Sequence, residues 1–86
     1  MTAVLALKRS ATKVRYCFDA DADPGLLPRA LQLIAKRGLV PSRFFAEREG
    51  DTLQVEIEVE DLDPATADHV GLCLEGLVGV RPGLWR

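Results

Sequence analysis

Asp23-Pro24-Gly25-Leu26-Leu27-Pro28-Arg29-Ala30-Leu31-Gln32-Leu33-Ile34-Ala35-Lys36-Arg37-Gly38 decides how this chain is read, because it spells a helix entry, an apolar stripe and a helix stop in one unbroken run. Asp23 carries an N-cap side chain, and Pro24 suits the first helical position, where a missing N–H leaves no bond unmade. Leu26, Leu27, Ala30, Leu31, Leu33 and Ile34 recur at helical spacing as a wide stripe, and Gly38 closes the element. Pro28 is the awkward residue: it falls near the first full helical hydrogen bond and is expected to delay or bend the first turn.

Upstream, Thr12 to Asp19 alternate, with Val14, Tyr16 and Phe18 on one face and Lys13, Arg15 and Cys17 on the other, which predicts a half-buried strand. Downstream, Val40 to Arg48 and Thr52 to Glu60 read as two strands around Glu49-Gly50-Asp51, a connection suited to a hairpin. Leu53, Val55, Ile57 and Val59 alternate with Gln54, Glu56, Glu58 and Glu60, so one face of the later strand is core and the other wet. A two-residue turn at either Glu49-Gly50 or Gly50-Asp51 puts the even-numbered residues of the earlier strand on the core face. Phe44 and Ala46 are then inside, Arg43 and Phe45 outside. Asp63-Pro64 repeats the cap and proline, and Ala67, Val70, Gly71, Leu74 and Leu77 predict a second amphipathic helix. A last strand is expected from Val78 to Trp85, at a sheet edge because Pro82 cannot donate to a ladder.

The order strand, helix, strand, strand, helix, strand, with one apolar face per element, points to an α+β ferredoxin-like domain. It implies a four-stranded antiparallel sheet in the order 4-1-3-2, with both helices on one face. Residues 12–86 form this domain, and 1–11 are a tail or an extra strand.

With 86 residues the chain is one domain, and a domain of this size buries only about 60% of the surface its unfolded chain exposes. A module that associates with itself or a partner follows naturally from so thin a core. Hydrophobic residues at 48% and charged residues at 28% exclude a disordered segment. A net charge of −2 argues against nucleic acid as partner, since phosphate neutralisation needs a surplus of lysine and arginine. Nothing approaches the ~20 apolar residues of a membrane span, and Ala3 to Leu7 is too short for a signal core, so a cytoplasmic location is expected.

Cys17 and Cys73 are far apart in sequence, on the open sheet face and the helix layer respectively, and write neither a metal site nor a disulfide framework. Reduced thiols are expected, with no metal and no cofactor. Asp19, Asp21 and Asp23 begin like a calcium loop, but Pro24 stands where that loop needs glycine and Ala30 where it needs glutamate. His69 reads as a surface histidine with no acid or nucleophile at a readable spacing, and no catalytic nucleophile is assigned.

A strand, an acidic residue with Pro24-Gly25-Leu26-Leu27 opening a helix, and Ala35-Lys36-Arg37-Gly38 closing it together resemble an ACT domain. Within that family the run from Gly25 to Gly38 is similar to the small regulatory subunits of acetohydroxyacid (acetolactate) synthase, of branched-chain amino-acid biosynthesis. The pattern extends over residues 12–86, the motif over 23–38 alone. The resemblance implies a non-catalytic regulatory module that forms a homodimer and binds an amino-acid effector at the loop after the first strand. A thiamine-diphosphate-dependent catalytic subunit is the implied partner. Ligand contacts would come from Asp21, Ala22, Asp23, Pro24, Gly25, Leu26, Leu27 and Val40. Gly25 would allow close approach, the first-turn N–H groups would hold a carboxylate, and Asp21 or Asp23 would meet the ammonium. In the amino-acid-binding small subunits asparagines commonly stand where this chain has Ala22 and Val40, which reduces the polar hold on a head group.

On the open sheet face Glu56 and Glu58 are expected opposite Arg43, Lys13 and Arg15, with Phe45 among them, a composition that suits docking of a larger subunit. The alternative is a free-standing ACT domain that senses an amino acid or related metabolite. A small acylphosphatase-like enzyme is disfavoured, because the acidic segment 19–23 repels an anionic substrate.

Overall fold

The computed structural model describes residues 13–81. The N-terminal segment 1–11 and the second half of the expected last strand, 82–85, lie outside them. Five elements follow in the order β1 (Val14–Asp21), α1 (Leu26–Lys36), β2 (Arg43–Glu49), β3 (Thr52–Val59) and α2 (Pro64–Glu75). The sheet is antiparallel with β3 central, in the order β1-β3-β2. The expected order 4-1-3-2 is thus reproduced over its last three positions.

The inward faces follow the alternation in the sequence. Tyr16, Phe18 and Ala20 of β1 and Leu53, Val55, Ile57 and Val59 of β3 are buried, joined by Leu26, Ala30 and Ile34 of α1 and Ala67, Val70 and Leu74 of α2. Phe44 and Ala46 pack against this core from β2. Tyr16 is an inward polar group, and its hydroxyl donates to the Ala67 carbonyl at 2.7 Å, tying β1 to α2. Burial, helped by the charge of Asp68, pushes its pKa up to about 12.

Glu49 pairs with Thr52, so Gly50-Asp51 is the hairpin turn. Gly50 adopts φ +62° at its first central position, where a side chain would be strained. Asp63 caps α2 as expected, accepting the Thr66 N–H at 3.1 Å and the Thr66 hydroxyl at 2.7 Å. Those two bonds hold its carboxyl below the usual carboxylate range.

Four expectations need correction. Helix α1 is entered through Gly25 rather than Asp23, whose side chain makes no cap to the helix. A start at Pro24 would have left Pro28 without the N–H its turn requires, whereas a start at Leu26 puts Pro28 in the first turn, where none is needed. Leu31 leaves the apolar stripe and is 41% exposed, because Leu26, Ala30 and Ile34 alone already face the sheet. Strand β1 runs on to Asp21, so Asp19 and Asp21 belong to the strand rather than to a loop.

The fourth correction concerns the last strand. Among the described residues it shrinks to one bridge, Val80 to Ala20, flanked by the bonds Asp21 N–H to Gly79 O and Arg81 N–H to Asp19 O, each 2.8 Å. Gly79 at φ +97° breaks the extended run expected from Val78, so pairing with the free edge of β1 begins at the Gly79 carbonyl rather than at Val78.

Candidate functional site

Because β1 ends at Asp21 and α1 begins at Leu26, the chain between them must turn over the end of the sheet. It is fastened there: the Ala22 N–H donates to the Asp51 carbonyl of the hairpin turn at 2.9 Å, and the Asp23 N–H to Asp21 O at 2.8 Å. A cleft of about 240 Å³ opens between this loop and the hairpin, lined by Ala22, Asp23, Pro24 and Leu27 with Arg48 and Leu53. Its floor is apolar and its rim carries one carboxylate and one guanidinium, the composition that would orient a small zwitterion or carboxylate.

The structure therefore gathers four of the expected ligand contacts and disperses the others. Leu26 is fully buried, so its side chain belongs to the core rather than to the cleft. Val40, in the loop after α1, is 83% exposed and does not line this cleft. The Asp21 carboxylate pairs with Arg81 at 3.3 Å. Gly25 does not present open space, since a Cβ there would come within 2.5 Å of Arg29 Nη1. The Arg29 guanidinium covers the glycine and pairs with Asp23 at 3.1 Å, on the same carboxylate oxygen that accepts the Gly25 N–H at 3.2 Å. Leu26 N–H donates to Asp23 O and Pro28 has none, so the helix entry offers fewer free donors to an anion than the sequence suggests.

Arg48 is the residue that reasoning from the motif missed. Its Nε donates to Gly50 O at 2.8 Å, which steadies the guanidinium stem against the hairpin. A signal was present: Arg48 shares the parity of Phe44 and Ala46, and a charge on the core-facing parity at a strand end marks a place where the core opens to solvent.

The expected docking residues do share one surface. Glu56 accepts from Arg43 at 2.6 Å and from Arg15 at 3.1 Å, and Lys13 lies 3.4 Å from Glu58. The Arg43 guanidinium stands 5.5 Å from the centre of the Phe45 ring. His69, expected without a nucleophile at readable spacing, has Cys73 one turn along α2, with its Nε2 3.7 Å from the sulfur. That pair was legible at i, i+4 and was overlooked. No helix among the described residues is long and apolar enough to cross a membrane.

A three-stranded antiparallel sheet with helical cover on one side and a loop cleft at its end defines a ferredoxin-like α+β module. Residues 7–85 match the ACT-like domain. The chain belongs to that family, whose modules typically regulate rather than catalyse. It is similar in fold to the crystal structure of the ACT domain from GTP pyrophosphokinase of Chlorobium tepidum, at TM-score 0.72 and 8% identity over 81% of this chain and 91% of that one. The solution NMR structure of that domain aligns at TM-score 0.69 and 9% identity, over 80% of this chain and 78% of that one. These neighbours are not acetohydroxyacid synthase small subunits. No curated protein matches the sequence.

Proposed function

We propose that this ACT-like module senses an amino acid or related small carboxylate in the cleft between the β1–α1 loop and the β2–β3 hairpin. The carrying observation is the cleft itself, with Arg48 on one rim, Asp23 on the other and Leu27 and Leu53 as apolar wall. Arg48 would take the ligand carboxylate and Asp23 its ammonium, in place of Arg29. An exposed ion pair such as Arg29 with Asp23 is worth about 0–1 kcal/mol, so a ligand can displace it. Thermal shift with valine, leucine, isoleucine and other amino acids, and with their 2-keto acids, tests this reading. A ligand at about 100 times its Kd should stabilise by about 2.7 kcal/mol, and absence of any shift across the series rejects the sensor.

A second reading is favoured by the open sheet face, where Phe45 sits beside the ladder of Arg43, Glu56 and Glu58. There the module, as a homodimer, would dock on a thiamine-diphosphate-dependent catalytic subunit of the acetohydroxyacid synthase kind. Support comes from the motif 23–38 and from this face. Copurification with such an enzyme, lost on Phe45→Ser, would support it; intact binding by that variant would remove the face from consideration.

A further inference from the structure

On the opposite side of the molecule from the ladder, α1 and α2 leave a groove of about 270 Å³ lined by Arg29, Gln32, Leu33, Lys36, Arg37, Cys73 and Leu77. No carboxylate lines it. Among the described residues Lys13, Arg15, Arg29, Arg43 and Arg81 each pair with an acid, whereas Lys36, Arg37 and, at the other cleft, Arg48 have no carboxylate within ion-pair distance. A chain of net charge −2 has thus gathered two uncompensated cations at one groove.

Half-buried Cys73 meets a specific set of groups there. Arg37 Nη2 donates to Cys73 Sγ at 3.3 Å and to His69 Nε2 at 3.0 Å, while its Nη1 donates to the Leu33 carbonyl at 3.3 Å, which fixes the guanidinium. Donation to Nε2 requires the ring proton on Nδ1 and occupies the single Nε2 lone pair, with the thiol sulfur beside it at 3.7 Å. The thiol thus has a guanidinium donating to its sulfur and an imidazole nitrogen beside it, the groups that attack on a disulfide would use.

We propose that this groove is a thiol–disulfide exchange site, with Cys73 as nucleophile and a small carboxylate-bearing disulfide as substrate. As Arg37 turns from His69 to a substrate carboxylate, the freed Nε2 lone pair takes the thiol proton. The Cys73 sulfur attacks one sulfur of the disulfide, the new S–S bond forms, and the old one breaks with its electron pair on the departing thiolate, which takes up the proton. The substrate disulfide is the two-electron oxidant, Cys73 is oxidised, and one thiol is released. Lys36 and Arg37 hold the substrate carboxylates, and Leu33 and Leu77 supply the apolar wall. Cys17 is the internal control: it lies on the open face, paired across the sheet with Glu56 and near Asp19, where charges of both signs are matched.

The reduced full chain is incubated with oxidised glutathione or with cystamine, a cationic disulfide of similar reactivity, and each cysteine is followed by peptide mass mapping. With glutathione, Cys73 should form the mixed disulfide on the order of tenfold faster than Cys17, and the advantage should shrink as salt rises. Cystamine should not share that advantage. Arg37→Gln should slow glutathione more than cystamine, whereas His69→Gln should slow both at Cys73 alone. Reaction of Cys73 at the rate of Cys17 with both disulfides overturns the proposal, as does a glutathione rate at Cys73 indifferent to salt. The salt measurement uses the unaltered chain, so it decides the matter even where a variant fails to fold.

Discussion

Arg29 takes the Asp23 carboxylate that the proposed ligand's ammonium would need, and that single placement changes what the loop motif means. The guanidinium lies over Gly25 and on the Asp23 carboxylate, so the chain supplies its own cation to the acidic end of the cleft. Arg29→Ala should therefore strengthen binding of zwitterionic amino acids relative to their 2-keto acids, read as a larger thermal shift. Arg48→Gln should abolish the shift for both, because it removes the group facing the carboxylate shared by the two ligand classes. Equal shifts from the altered and unaltered chains would take Arg48 out of the site. Tyr16 makes a different residue-scale prediction. Its folded pKa of about 12 exceeds the usual value near 10, so the protonated form is favoured in the fold. Its contribution is complete below about pH 10 and lost as pH rises towards 12, where the unfolded state gives up its proton first. Denaturant titrations across that window should show stability falling by on the order of 2 kcal/mol in the parent and much less in Tyr16→Phe. Below it, Tyr16→Phe should cost about 1 kcal/mol for the lost bond to Ala67.

Among the elements, the two helix entries look alike in sequence and behave differently, which shows where local signals suffice. Asp63-Pro64 is followed by Thr66, whose N–H and hydroxyl both reach the carboxylate, and no later proline disturbs the turn. Asp23-Pro24 is followed by Pro28, and avoiding a lost hydrogen bond moves the helix start two residues on, to Leu26. The strands were legible because period-2 alternation fixes which face is buried; where the last one starts was not, because a positive φ at Gly79 is a tertiary choice that a Val-Gly-Val sequence does not announce. The cleft was half legible for the same reason: the loop is local, whereas Arg48 and Leu53 arrive through hairpin register. Since the hydrogen bonds of Thr66 depress the Asp63 pKa, its cap stabilises fully above the ordinary carboxylate pKa and less as pH falls through the depressed value. Asp63→Asn keeps a capping side chain without that titration, so the gap between the two unfolding midpoints should narrow in acid. A gap that stays constant with pH would show that the Asp63 charge plays no part. At the hairpin, Gly50→Val should cost about 1–2 kcal/mol from left-handed strain, while Gly50→Asn should cost little, since no atom lies within 4 Å of a Cβ there.

For the whole molecule, size makes stability and sensing the same problem. A chain of 86 residues at the usual ~0.05–0.15 kcal/mol per residue holds about 4–13 kcal/mol in total. Ile57 is fully buried at the centre of the middle strand, opposite Tyr16 of β1 and Phe44 of β2. Truncation to alanine leaves a cavity that three strands and two helices cannot all close, so Ile57→Ala should cost about 2–5 kcal/mol. That loss is a large share of the total and should leave a measurable unfolded population near physiological temperature. A ligand that binds only the folded state then draws that population back, and its effect on the folded fraction should be far larger in Ile57→Ala than in the parent, although the free energy added at a given saturation is the same. Circular dichroism of Ile57→Ala with and without the amino acid that shifts the parent tests this coupling directly. Recovery of folded signal by that amino acid, and its loss when Arg48→Gln is added, would join the cleft to global stability; no recovery at saturating ligand would place the bound molecule away from the folded core's equilibrium.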